Sequence, residues 1–86
     1  MPRALTIQRT TVTPSERDKF HERARRKQEY YAKANCRFWV FEEFGLAGAF
    51  LEFVEAADMQ TLSKAHAAAP DQALDPKRIY MEVEFK

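Results

Sequence analysis

The chain has few of the residues and segments that identify metalloproteins, disulfide-linked proteins and membrane proteins. It contains one cysteine and two histidines, which rules out an intrachain disulfide and leaves no ligand spacing typical of a metal site. Its two glycines fall in one predicted hairpin and not in a phosphate-binding loop. No apolar run approaches the roughly 18–20 residues that cross a bilayer. We therefore predict no metal, no cofactor and no membrane partner, and the absence of a signal-peptide-like run at the start predicts a cytoplasmic protein.

The charge of the chain is close to balanced. Fourteen basic and 13 acidic residues leave a formal net charge of +1 at pH 7. A protein that binds nucleic acid through its phosphates needs many Lys and Arg side chains without acidic neighbours to compensate them. The balance therefore predicts no nucleic-acid partner.

The length of 86 residues is typical of one domain, and we assign residues 1–86 to it. At that size, folding buries only about 60–65% of the surface that the unfolded chain exposes, so a single core is marginal. Association with a second copy would bury additional apolar surface. The size alone therefore favours an oligomer.

Apolar residues recur at intervals of two in four segments and at helical intervals in two others. Thr13, Pro14 and Glu16 have the spacing of a helix start, Asp58 is typical of a cap on a second helix, and Pro70 ends that helix. The predicted strands cover residues 4–12, 36–43, 49–55 and 79–85, and the predicted helices cover residues 14–34 and 59–69. The order βαββαβ predicts an α+β, ferredoxin-like fold, in which an antiparallel sheet carries two helices on one face.

The second and third predicted strands are apolar on both faces, although two helices can cover only one face of the sheet. The uncovered face is expected to carry one of two alternating pairs, Phe38/Val40 or Trp39/Phe41, beside Phe50 and Val54. Soluble monomers rarely expose so large an apolar patch. We therefore predict a homodimer through this sheet face, with two sheets packed face to face as a barrel.

One stretch of the chain carries a family resemblance. The run from Phe50 to Asp58, followed by a helix with Ala65-His66, resembles the dimeric α+β barrel superfamily, which includes the antibiotic-biosynthesis-monooxygenase-like (ABM) domains. The resemblance implies small-molecule binding or cofactor-independent monooxygenase-like activity on an aromatic substrate, and it leaves open whether the protein is an enzyme. In the haem-degrading subgroup a tryptophan precedes the histidine and an asparagine lies in strand one. Ala56 and Gln8 stand at these positions, so haem is not expected.

The candidate site lies in an enclosed pocket between the helices and the sheet. His66 is the candidate catalytic residue, and the candidate ligand-binding residues for a small aromatic ligand are Gln8, Tyr30, Tyr31 and Trp39. The narrow apolar stripe of the first helix around Ala24 predicts unfilled space above the sheet. The alternatives are a structural, hydrogen-bonded His66 and a Trp39 that belongs to the dimer core.

Two further functional classes fit the same order of elements. A non-catalytic structural or regulatory dimer requires only the uncovered sheet face. An RNA-recognition motif requires a basic residue, a glycine and a stacking aromatic residue early in its third strand, where this chain has Leu46, Ala47 and Gly48. The RNA-recognition motif is therefore the less favoured of the two.

Overall fold

The computed structural model describes residues 2–69 and 78–85, and its elements have the α+β composition that the sequence predicts. The strands are β1 (Ala4–Thr11), β2 (Cys36–Glu42), β3 (Ala49–Ala56) and β4 (Ile79–Met81), and the helices are α1 (Arg17–Lys33) and α2 (Met59–Ala67). A 3₁₀ turn, Pro14–Glu16, precedes α1. The predicted end of the second helix at Pro70 lies outside the described residues. No helix in the described part of the chain is long and apolar enough to cross a membrane.

The four strands form one antiparallel sheet with the order β2–β3–β1–β4. Thr6 of β1 lies opposite Val54 of β3 on one side and opposite Ile79 of β4 on the other. Both helices pack on the same face of the sheet, because Tyr31 of α1 and Leu62 of α2 join Val54 in one core cluster. This arrangement is consistent with a ferredoxin-like fold.

The two helices begin in different ways. The Asp58 carboxylate accepts a hydrogen bond from the Thr61 N–H at 2.8 Å, which confirms the predicted cap of α2. The Thr13 hydroxyl makes no such bond to the backbone and lies 3.2 Å from the Ser15 hydroxyl, so Thr13 does not cap the predicted helix start with its side chain. The chain therefore enters α1 through the 3₁₀ turn that Pro14 begins, since the fixed φ of proline suits a first helical position.

Gly48 fastens the β2–β3 hairpin to the end of β1. Its φ is +89°, and a Cβ at this position would collide with the carbonyl oxygen of Val12. The Gly48 carbonyl accepts the Val12 N–H at 2.8 Å, and the Gly48 N–H donates to the Glu42 carboxylate at 2.9 Å. Arg17, at the start of α1, donates two N–H groups to the same carboxylate, each at 2.9 Å. The hairpin, β1 and α1 are thus connected at this end of the sheet.

The helix-covered face of the sheet carries Phe50 and Val54, so the expectation that these two residues lie on the uncovered face is wrong. Phe50 stacks against Phe20 of α1 with the ring centroids 4.4 Å apart, and Val54 lies in the core below both helices. Phe38 lies opposite Val54, and it is therefore covered as well. The uncovered face, here called the open face, carries Leu5, Ile7, Trp39, Phe41, Leu51, Phe53 and Tyr80.

The fourth strand is shorter than predicted. β4 ends at Met81, which lies opposite Ala4, the first residue of β1, so the strand stops where its partner begins. The Glu82 N–H still donates to the Arg3 carbonyl at 2.8 Å. Val83 and Phe85 are 70% and 94% exposed, although the sequence predicts them on an apolar strand face.

Candidate site between the helices and the sheet

A column of polar side chains runs along the helix-covered face of β1. Thr6, Gln8 and Thr10 alternate along the strand and therefore point to the same side of the sheet. We call these three residues the polar column. The three residues occupy successive levels along the strand, and each has different neighbours on the helix side.

The first level of the column holds His66. Its Nε2 lies 2.6 Å from Thr6 Oγ1, and its Nδ1 lies 3.0 Å from Tyr31 Oη. Burial lowers the pKa of the His66 imidazole, which is only 6% exposed, because desolvation penalises the charged ring. A neutral imidazole has one donor and one acceptor, and both hydroxyls can serve in either role. His66 is therefore a buried, neutral residue with both ring nitrogens hydrogen-bonded.

The second level holds Gln8. Its Oε1 is buried and, among the described residues, has no hydrogen-bond partner. Buried side-chain oxygens are satisfied in most cases, because an unpaired one costs about 1–3 kcal/mol. The unpaired acceptor marks a place where a bound donor group would lower the free energy of the protein.

The third level holds Thr10, which contacts a buried ion pair. Lys27 Nζ of α1 lies 3.0 Å from Glu52 Oε1 of β3, and the two side chains are only 14% and 3% exposed. Thr10 Oγ1 donates to the other carboxylate oxygen of Glu52 at 3.0 Å. Both oxygens of this carboxylate are therefore hydrogen-bonded, as a buried charge requires.

A cavity of about 360 Å³ lies at the second and third levels. Its walls include Gln8, Thr10 and Glu52 from the sheet and Arg23, Ala24 and Lys27 from α1. A second cleft, of about 560 Å³, lies on the other flank of α1, beside β2. Ala24 contributes to both, since its small side chain leaves space on either flank of the helix. Unfilled space is therefore present beside Ala24, but of the residues expected around it, Tyr31, His66 and Gln8, only Gln8 lines this cavity.

The structure brings together only some of the residues that the sequence selected. Tyr31 contacts His66 directly, and Gln8 follows Thr6 at the next inward position of β1. Tyr30 has a different position: its hydroxyl donates to the Ala65 carbonyl at 2.8 Å and links α1 to α2.

Trp39 and His66 lie on opposite faces of the sheet. Trp39 lies on the open face, where its ring stacks against Phe53 with centroids 5.5 Å apart. The strand alternation that brings Phe38 under the helices points Trp39 the other way. Its position agrees with the alternative that assigns Trp39 to an assembly surface.

Three site residues, Lys27, Glu52 and Thr10, are not among those that the sequence indicates. One signal for Glu52 was available, because it lies between Phe50 and Val54 at the same inward-facing interval of two. A charged residue on an apolar strand face needs a partner, and Lys27 supplies it from the apolar stripe of α1.

Among residues 2–69 and 78–85, no group of three His, Cys, Asp or Glu side chains is placed to hold a metal ion. Burial raises the pKa of the Cys36 thiol, which keeps it in the unreactive neutral form.

Comparisons with protein-family models, curated proteins and solved structures found no match for this chain. Its function is therefore argued from the site itself.

Proposed function

We propose that this protein is a homodimeric small-molecule-binding protein that takes a single-ring aromatic ligand with a hydroxyl or amino group into the cavity below α1. The observation that carries the proposal is the buried, unpaired Oε1 of Gln8. A ligand O–H or N–H directed at this oxygen would supply the hydrogen bond that the protein lacks.

The size and composition of the cavity support this class of ligand. A volume of about 360 Å³ is near the lower end of the roughly 300–1,000 Å³ that small-ligand sites occupy, which suits one aromatic ring. Phe20 offers an apolar wall, and Arg23 offers a cation for a ligand that also carries a carboxylate. Glu52 is already neutralised by Lys27, so it does not require a cationic ligand.

The homodimer is the second part of the proposal. The open face carries large apolar side chains at its centre, among them Phe41, which is 58% exposed. Ion pairs lie at its two ends, where Arg3 contacts Glu55 at 3.3 Å and Arg9 contacts Glu43 at 3.4 Å. An apolar centre with a charged rim is the usual composition of a protein interface. Two copies packed through this face would form a dimeric α+β barrel with the ligand cavities on the outside.

A cofactor-independent, monooxygenase-like activity on an aromatic substrate is the second candidate function. The hydrogen-bonded series Tyr31–His66–Thr6 favours it, because such a series can move a proton between buried groups. Oxygen consumption in the presence of catechol or hydroquinone tests this candidate. His66→Gln should abolish the consumption and His21→Gln, at an exposed position of α1, should retain it; equal rates with and without the protein would exclude the activity for these compounds.

Binding is tested with phenol and 4-hydroxybenzoate as probes and benzene as the matched compound without a donor. Calorimetry should detect the two hydroxylated probes and a much weaker response to benzene. Gln8→Leu should remove this discrimination, whereas Gln60→Leu, on the exposed side of α2, should keep it. Equal responses to phenol and benzene in the wild-type protein would contradict the role of Gln8.

The space itself is tested with Ala24→Phe. We expect this substitution to raise the melting temperature and to abolish binding of both probes, because the ring fills the cavity. A loss of stability of about 1–3 kcal/mol, the usual cost of overpacking a full core, would contradict the presence of a cavity.

A further inference from the structure

We propose that the ligand of the cavity below α1 is an aromatic monocarboxylate whose hydroxyl or amino group lies at the opposite end of the ring from the carboxylate. Arg23 and Lys27 bind the carboxylate, and Gln8 accepts a hydrogen bond from the other group. The inference deepens the proposed function and rests on it, because it names the class of ligand for the same cavity. Three observations support it: the charge of the cavity lining, the helical neighbours of Arg23, and the separation of the two polar ends of the cavity.

The first observation is the charge of the lining. Arg23 and Lys27 contribute two cations to this cavity, and Glu52 contributes its one carboxylate. Lys27 holds Glu52 at 3.0 Å, and both oxygens of the carboxylate are already hydrogen-bonded. Among the described residues, Arg23 has no ion-pair partner. The lining therefore has one uncompensated positive charge, which one negative charge on a ligand would neutralise.

The second observation is the set of neighbours that α1 places around Arg23. In an α-helix, the residues three and four positions away lie beside a given side chain. At these positions Arg23 has three cations, Lys19, Arg26 and Lys27. The acids of this part of α1, Asp18 and Glu22, line a neighbouring groove that Arg23 also borders, but they do not line the cavity. Like charges at this helical spacing are destabilising, so an anion bound at Arg23 would relieve repulsion that the free protein carries.

The single excess charge favours a carboxylate over a phosphate. A carboxylate carries one negative charge at neutral pH, whereas a phosphate monoester carries about −1.5 to −2. The guanidinium of Arg23 can hold a carboxylate through two parallel N–H donors. Lys27 lies one helical turn away, and its ammonium has three N–H donors, of which Glu52 occupies one. One ligand carboxylate can therefore contact both cations.

The third observation is that the two polar ends of the cavity are on different layers of the fold. Gln8 lies directly opposite Glu52 in the β1–β3 pairing, so its buried, unpaired Oε1 belongs to the sheet side of the cavity. Arg23 belongs to the helix above the sheet and is exposed. A ligand that satisfies both residues directs its O–H or N–H toward the sheet and its carboxylate toward solvent. The two groups are therefore at opposite ends of the ring.

Calorimetry with four probes tests the inference. 4-Hydroxybenzoate carries both groups at opposite ends of the ring, phenol lacks the carboxylate, and benzoate lacks the donor. Salicylate has the same groups and charge as 4-hydroxybenzoate, but its hydroxyl is adjacent to the carboxylate and donates to it. 4-Hydroxybenzoate should bind about tenfold or more tightly than each of the other three, which is the factor that one hydrogen bond to a charged or buried group supplies.

Two matched variants locate the carboxylate. Arg23→Gln should reduce the affinity for 4-hydroxybenzoate to about that for phenol and should leave phenol binding unchanged. Arg26→Gln removes the same charge from an exposed position of α1 outside the lining of the cavity, and it should keep most of the preference for 4-hydroxybenzoate. Arg23→Lys should retain part of the preference, because the positive charge stays while the two parallel donors are lost.

The outcomes separate this inference from the proposed function. Equal affinities for 4-hydroxybenzoate and phenol, both above that for benzene, would overturn the carboxylate subsite and leave the proposed function standing. Equal losses in Arg23→Gln and Arg26→Gln would also overturn the subsite, because the attraction would then come from the general surface charge of α1. Salicylate binding as tightly as 4-hydroxybenzoate would overturn the opposite placement of the two groups. The absence of binding for both 4-hydroxybenzoate and phenol would overturn the inference together with the proposed function.

Discussion

Lys27 Nζ and Glu52 Oε1 lie 3.0 Å apart, and the ion pair that they form joins the middle of α1 to β3, one of the two central strands of the sheet. Most surface ion pairs contribute little, but this pair is withdrawn from water on both sides. It sets the position of α1 next to Ala24, where the helix leaves the cavity open. The pair is thus a part of the candidate site as well as of the fold.

Removal of the lysine should be strongly destabilising. Lys27→Met leaves the Glu52 charge buried with Thr10 as its remaining partner, and breaking a buried pair in this way costs about 3–5 kcal/mol. The double variant Lys27→Met/Glu52→Leu should recover most of the loss, because no unpaired charge is left. Urea denaturation measures both, with Lys33→Met at an exposed position of the same helix as the control. Similar small losses for Lys27→Met and Lys33→Met would show that the pair is unimportant.

Because of His66, the free energy of unfolding should decrease as the pH drops below neutral. Its pKa in the folded protein is lowered by burial from the ordinary value of 6.5, so below pH 6.5 the unfolded chain takes up a proton that the folded chain does not. The contribution of His66 to the free energy of unfolding is therefore fully present above pH 6.5. It decreases as the pH falls toward the pKa of His66 in the folded protein. Urea denaturation between pH 5 and 8 should show this slope in the wild type and a shallower one in His66→Gln.

The same His66→Gln variant should lose about 1–3 kcal/mol at pH 8, since the hydrogen bonds to Thr6 and Tyr31 are disturbed. His21→Gln is the matched control, because His21 is exposed on α1 and the change in side chain is identical. Equal stabilities of the two variants would exclude a structural role for His66.

Glu42 should contribute to acid unfolding. The two hydrogen bonds from Arg17, together with the Gly48 N–H, lower the pKa of the Glu42 carboxyl from 4.5 to about 2. Its contribution is present above pH 4.5 and is lost as the pH falls from 4.5 to about 2. Thermal melts at pH 2–7 should show Glu42→Gln less stable than the wild type at pH 7, with the difference closing in this window. Glu43→Gln, at the next residue, is the control, and a difference that stays constant down to pH 2 would contradict the assignment.

Charges on the open face should dissociate the dimer. Phe53→Lys or Trp39→Glu places a charge among large apolar side chains, each of which contributes about 1.5–3 kcal/mol when buried. Sedimentation velocity should show a dimer for the wild type and monomers for both variants, with an unchanged circular dichroism spectrum. Phe50→Glu should unfold the chain instead, because Phe50 lies below α1. A wild-type monomer at micromolar concentration would exclude this assembly.

The sequence predicts the strands and helices, but it does not predict which face of the sheet the helices cover. Alternation shows that Phe50 and Val54 share a face, yet it does not say which face the helices cover. That choice depends on how Phe20 of α1 meets Phe50, a contact between residues that are distant in the sequence. The length of β4 could not be predicted from the alternation either, because β4 ends where its partner strand begins, at Ala4.

The candidate site could be predicted only in part for a similar reason. Helical spacing on α2 directs His66 toward the core, and an aromatic residue near the end of α1 was a reasonable neighbour for it. The Lys27–Glu52 pair joins a helix to a strand, so no local sequence motif indicates it. The one indication in the sequence is a glutamate at an inward-facing strand position.

The central place of β3 in the sheet also determines where the backbone resists exchange with solvent. β3 is hydrogen-bonded to β1 along one edge and to β2 along the other, so both its N–H and C=O groups are held in ladders. Amide protons of Leu51 to Val54 should therefore exchange with deuterium only on global unfolding, whereas those of β2 facing the free edge should exchange through local opening.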